Sequence, residues 1–147
     1  MRKLSKITII LIILLSPAIS LACKESILEK AYPITKFNEY DSIVIVRIDE
    51  STHSNKYRYW PLESFKASVI ESIKGNLNEG DSFTGKPKHE EARAVCPVHL
   101  TKNDTYLLLL SKESGEYVVS RFSFPVKSDN KYFSNYISQI KGAISSE

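Results

Sequence analysis

The chain has little of what usually betrays a chemistry. Among its 147 residues are two cysteines, five glycines, one methionine and one tryptophan. Two cysteines exclude a disulfide-dense scaffold and any zinc site built from four thiolates. The scattered glycines form neither a phosphate-cradling loop nor a dinucleotide fingerprint, and no Gly-x-Ser-x-Gly elbow occurs. No apolar run approaches the roughly 20 residues that a membrane-crossing helix needs. Ile7 to Leu15 is nine residues long with Thr8 inside it. As helix it would rise about 14 Å, against a hydrocarbon core of roughly 30 Å. No transmembrane segment is therefore expected.

Charge of one sign is lacking as well. The formal net charge is +3, but Arg2, Lys3 and Lys6 supply it; beyond them stand 17 basic and 17 acidic residues. A neutral domain has no general electrostatic pull on nucleic acid or on an anionic membrane. A nucleic-acid partner is not expected.

What is present starts with those three charges. They precede the apolar run 7–15, then the helix-breaking Ser16-Pro17, then Ser20-Leu21-Ala22 with small residues where a signal peptidase reads. That order is a secretory signal, so residues 1–22 are expected to be removed and Cys23 to begin the mature chain. A small residue before cysteine also marks bacterial lipoproteins, which favour an aliphatic residue three positions before the cysteine. Ser20 stands there instead, so ordinary cleavage is expected and lipid attachment at Cys23 is the alternative. Residues 23–147 are then one exported domain, periplasmic or secreted. With 42% hydrophobic residues it can bury a real core.

In an oxidising compartment two cysteines usually pair. A Cys23–Cys96 bridge would span 72 intervening residues. It would contribute about 4 kcal/mol on chain-entropy grounds and tether an end that otherwise frays.

Along the mature chain, Ile27, Leu28 and Ala31 predict a short helix over 24–32, ended by Pro33. Residues 42–48 are a β-prone run apolar enough for burial on both faces. The polar stretch 49–55 predicts a hairpin loop, 56–59 a resumption of the strand pair, and Trp60-Pro61 a corner. Phe65, Ala67 and Val69 alternate with Lys66, Ser68 and Ile70, predicting a half-buried strand to Ile73. Residues 82–84 and 105–110 read as strands, 85–93 as a long loop, and 117–124 as the antiparallel partner beyond a turn at Gly115. Tyr132, Phe133, Tyr136, Ile137, Ile140 and Ile144 recur at helical spacing, with Ser128 or Asp129 as N-cap. The expected fold is mainly β: a small OB-type five-stranded antiparallel barrel with a short N-terminal helix and a C-terminal amphipathic helix.

The order of these pieces resembles the netrin-module or TIMP-like family, the tissue inhibitors of metalloproteinases and their bacterial relatives. The carrying residues are Cys23 after the signal, Tyr40-Asp41-Ser42-Ile43-Val44-Ile45-Val46, and Phe65-Lys66-Ala67-Ser68-Val69 with Ile73-Lys74-Gly75. Glu79-Gly80-Asp81, Cys96 and Asn103-Asp104-Thr105-Tyr106-Leu107-Leu108-Leu109 follow. The resemblance covers most of 23–126 and implies the OB barrel. Cys23-Lys24-Glu25 departs from the family's Cys-x-Cys start, Ser120 stands where a late cysteine is usual, and Pro97 replaces a glycine. The two missing cysteines are normally partners, so the resemblance leaves the Cys23–Cys96 bridge intact. In TIMPs the first cysteine's amine and carbonyl chelate a target protease's zinc. By resemblance, mature Cys23 would do the same, a structural disulfide at a tethered end being the reading preferred here.

Among other candidates, His89, Glu90, Glu91, Cys96 and His99 match no zinc spacing and read as surface loop residues; an oxidised Cys96 is no nucleophile. Tyr57, Arg58, Tyr59 and Trp60 form an aromatic cluster for the core, the rim or a protein-binding face. The expected function is a non-enzymatic module binding a protein partner, a zinc metalloprotease being one possibility. Candidate contact residues are Cys23, Lys24, Tyr57, Tyr59 and Trp60. No catalytic residue, metal or cofactor is expected.

Overall fold

The structure, a computed structural model, describes residues 34–56, 60–88, 98–120 and 125–146. All belong to one compact unit, Pro33–Glu147. A 3-10 turn, Ile34–Glu39, leads into six strands: β1 (Ser42–His53), β2 (Leu62–Lys74), β3 (Ser82–Pro87), β4 (Thr105–Glu113), β5 (Glu116–Val119) and β6 (Val126–Lys127). Helix α1 (Phe133–Ser145) follows. The predicted helix over 24–32 lies outside the described residues.

The sheet runs β1-β2-β3-β5-β4, and β1 pairs β4 to close the ring; β6 adds to the side of β4. This is a closed five-stranded barrel of OB type. All its pairings are antiparallel except β3–β5, where Gly85, Lys86 and Pro87 pair in parallel with Tyr117, Val118 and Val119. The expectation of a wholly antiparallel barrel is corrected here, and parity is the reason. Strand direction must alternate around an antiparallel ring, and five is odd, so a closed ring needs at least one parallel pair.

Alternation along the strands sorts the buried residues into two layers. Val44, Val46 and Ile48 of β1, Phe65, Ala67 and Val69 of β2, Phe83 of β3, Tyr106, Leu108 and Leu110 of β4, and Val119 of β5 share the barrel interior. Ile43, Ile45, Leu107 and Leu109 are equally buried but stand outside that cluster, on the opposite face. They pair across β1 and β4, Ile43 with Leu109 and Ile45 with Leu107. The run 42–46 is thus buried on both faces, as its composition predicts.

An outward apolar layer must be covered, and two anchors show by what. Lys74, paired with Ile43, donates its ammonium to the carbonyls of Phe37, Asn38 and Tyr40 at 3.1, 3.3 and 2.8 Å. It caps the 3-10 turn, whose Phe37 is buried. Glu71, paired with Ile45, forms an ion pair with Lys141, the neighbour of buried Ile140 on α1. The 3-10 turn and α1 also touch each other.

Several boundaries differ from expectation. Residues 49–53 are strand, not hairpin loop, because the β1–β2 ladder runs on through Glu50↔Lys66 to His53↔Leu62. Residues 85–87, placed in a loop, extend β3. Phe65 lies opposite Gly85, and its ring occupies the space a Cβ on Gly85 would need. Neither Ser128 nor Asp129 caps α1. The N-cap is Tyr132, with no side-chain capping bond; its N–H instead donates to Asn130 Oδ1 at 2.9 Å.

Candidate functional site

The candidate residues that the structure describes gather at the β1–β2 end of the barrel. β1 and β2 separate after the His53↔Leu62 pair. The Ser54 N–H donates to the Pro61 carbonyl at 2.8 Å, closing the loop at its neck. Ser54 is buried, and its Oγ accepts the Lys56 N–H at 3.3 Å. Trp60 lies beside this neck. Its φ is +47°, in the left-handed region that a bulky residue rarely adopts, and its side chain is 63% exposed. The chain therefore accepts a strained corner and leaves its one indole in solvent.

Sequence reasoning misses the most specific feature nearby. The rings of His53 and His99 face each other, 5.6 Å between centroids and 18° from parallel. The β1–β4 ladder runs from Ser42↔Leu110 to Arg47↔Thr105 and stops there; a turn closed by Asp104 N–H to the Thr101 carbonyl at 3.2 Å separates His99 from it. Backbone bonds continue past its end, Ile48 N–H to the Asp104 carbonyl at 2.9 Å and Asn103 N–H to the Ile48 carbonyl at 2.7 Å. Thr101 N–H then donates to Tyr106 Oη at 3.1 Å, while the flanking Val98 and Leu100 are buried. His99 points the other way and is exposed. The signal that could have found the pair was the continuation of β1 through 49–53, which polar composition disguised as a loop.

Although exposed, the His99 ring is partly screened from water by its surroundings, and that desolvation first, with the neighbouring His53 second, holds its imidazole below the ordinary value of 6.5. An imidazole lowered on folding leaves the unfolded chain the better proton acceptor. Its contribution to stability is complete above the unfolded value and lost as pH falls through the lower folded one. The unfolding midpoint is therefore expected to drop as pH falls through and below the ordinary imidazole value of 6.5. His99→Gln should flatten that part of the profile; a thermal-melt series with the same slope in the variant would assign the loss to other groups.

Ser68 Oγ donates to Asp49 Oδ2 at 2.6 Å, and Arg47 reaches Asp49 Oδ1 at 3.4 Å. Ser68 lies six positions along β2 from Leu62, the partner of His53, or about 20 Å of strand. The described imidazoles are thus out of reach as a base for that hydroxyl. Among the described residues no group of three or more His, Cys, Asp and Glu converges on a common point, and no helix is long and apolar enough to cross a membrane.

Of the sequence-derived candidates, Cys23, Lys24, Tyr57, Tyr59, His89, Glu90, Glu91 and Cys96 lie outside the described residues. Trp60 and His99 lie within them, at this end of the barrel. No family model matches the chain, and no curated protein matches it.

Proposed function

We propose that the chain is an exported, non-enzymatic module that binds a protein partner through the β1–β2 end of its barrel. The supporting observation is Trp60, 63% exposed on a left-handed backbone beside a hydrogen-bonded loop neck. An exposed indole is a common anchor of interfaces, where truncating one costs about 2–4 kcal/mol of binding. Tyr57 and Tyr59 belong to the same loop by sequence and extend the proposed contact. The proposal includes a mature chain beginning at Cys23, with Cys23 and Cys96 bridged.

A photo-crosslinking residue at position 56, placed in the exported protein in its own compartment, tests this reading. One discrete adduct is expected, weakened at least tenfold by Trp60→Ala while the melting temperature stays within a few degrees. No adduct, or an adduct indifferent to Trp60→Ala, would remove the β1–β2 loop from the proposal. A zinc metalloprotease as the trapped protein would turn the reading towards the inhibitor suggested by the TIMP resemblance.

A further inference from the structure

We infer that His53 and His99 form a two-imidazole site for a borderline divalent transition-metal ion of the zinc and nickel class, at the β1–β2 end of the barrel. Imidazole nitrogens suit these ions, binding zinc at about 2.0–2.1 Å. Two imidazoles on one tetrahedral ion have ring centres about 5 Å apart by that bond length. The observed separation is 5.6 Å. The rings are stacked, so each must turn about its own side-chain bonds before one nitrogen of each can converge on an ion; their separation leaves room for that turn.

Three features favour a ligand site over a packing contact. First, neither imidazole has a hydrogen bond or an ion pair to a described residue, so the ring nitrogens are uncommitted. Second, His99 is exposed and His53 half-buried, so a bound ion would keep water on its remaining positions. Third, each position has an anchoring neighbour among the described residues. His53 pairs with Leu62 across β2, and His99 is bracketed by buried Val98 and Leu100. Anchored backbones reduce the ordering cost of binding to that of the two side chains. Two protein ligands rather than three or four make this a weak site, with a dissociation constant on the order of 10 µM for zinc.

Isothermal titration of the mature full-length chain with Zn²⁺ alone, repeated with Ni²⁺, tests the site. One ion per chain is expected. His53→Asn and His99→Asn should each weaken binding at least tenfold while melting near the wild-type temperature. Paramagnetic Ni²⁺ should broaden the resonances of these two imidazoles before any other side chain. Absence of saturable binding up to about 1 mM metal would overturn the inference. So would retention of wild-type affinity in both variants, which would assign the metal to other donors. Should one variant unfold, the other variant and the Ni²⁺ broadening still decide the matter.

Discussion

Leu108→Ala is expected to lower the unfolding free energy by about 3–5 kcal/mol, a large share of the roughly 5–15 kcal/mol a domain usually has. Leu108 is fully buried at the centre of β4, opposite Val44, with the interior side chains of β1, β2 and β3 around it. Removing three carbons there forfeits their transfer energy and leaves a void that a closed barrel cannot collapse. All five strands are tied in a ring, so none can move inward without breaking a ladder. The denaturant midpoint measures the effect. Ile70→Ala is the control, since Ile70 lies 45% exposed on β2 and should change stability by no more than about 0.5–1 kcal/mol. Comparable losses in the two variants would mean that the interior assignment of β4 is wrong.

Gly75→Ala should be nearly as damaging, about 2–4 kcal/mol, for a different reason. Gly75 follows β2 at φ +103°, where an L side chain is strained in any surroundings. Here the surroundings are also closed. A Cβ would overlap the Asp41 carbonyl and Ser42 Oγ and lie 2.9 Å from Ser42 Cα. These atoms begin β1 and have no slack. Ser42 is buried, the Asp41 carboxylate accepts the Lys112 N–H at 2.6 Å, and Lys74 holds the preceding 3-10 turn. Gly80, at φ +88° with nothing within 4 Å of its Cβ position, separates the two contributions. Gly80→Ala should cost only the backbone part, about 1–2 kcal/mol. Equal melting temperatures for the two alanine variants would show that the contact with β1 contributes nothing.

The elements most legible in the sequence were those whose periodicity had one explanation. The run Ile43-Val44-Ile45-Val46 has no polar face, which only a strand covered on both sides can satisfy. The alternation from Phe65 to Ile70 and the helical spacing of Tyr136, Ile137, Ile140 and Ile144 were equally plain. The ends of β1 and β3 were not. Residues 49–53 are polar because that part of β1 carries little of the core, yet their backbone still completes a ladder with β2. Gly85 suggested a loop, while in the sheet it is the gap that the Phe65 ring fills. The lost N-cap at Ser128 or Asp129 reflects a turn, 127–130, closed by its own backbone bond from Asn130 N–H to the Lys127 carbonyl at 3.0 Å.

For the site the division is sharper. Trp60 could be picked out because a lone indole beside proline in a polar stretch is conspicuous in any sequence. Its exposure and its left-handed backbone are consequences of where β1 and β2 part. The histidine pair carried only an indirect signal, the continuation of β1 through 49–53, since 45 residues separate its members and no spacing rule connects them.

By itself the sequence determined that this is a mainly β domain with a two-sided strand near its start and an amphipathic helix at its end. Those properties follow from hydrophobic period, which is local. It also determined that a five-stranded barrel was available, but not the direction of its last pairing. Only the tertiary structure decided that β3 and β5 run in parallel, because closing an odd ring is a property of the whole. Only the tertiary structure brought His53 to His99, since β1 runs on past the end of its ladder with β4 and the turn at 101–104 sets His99 beside it.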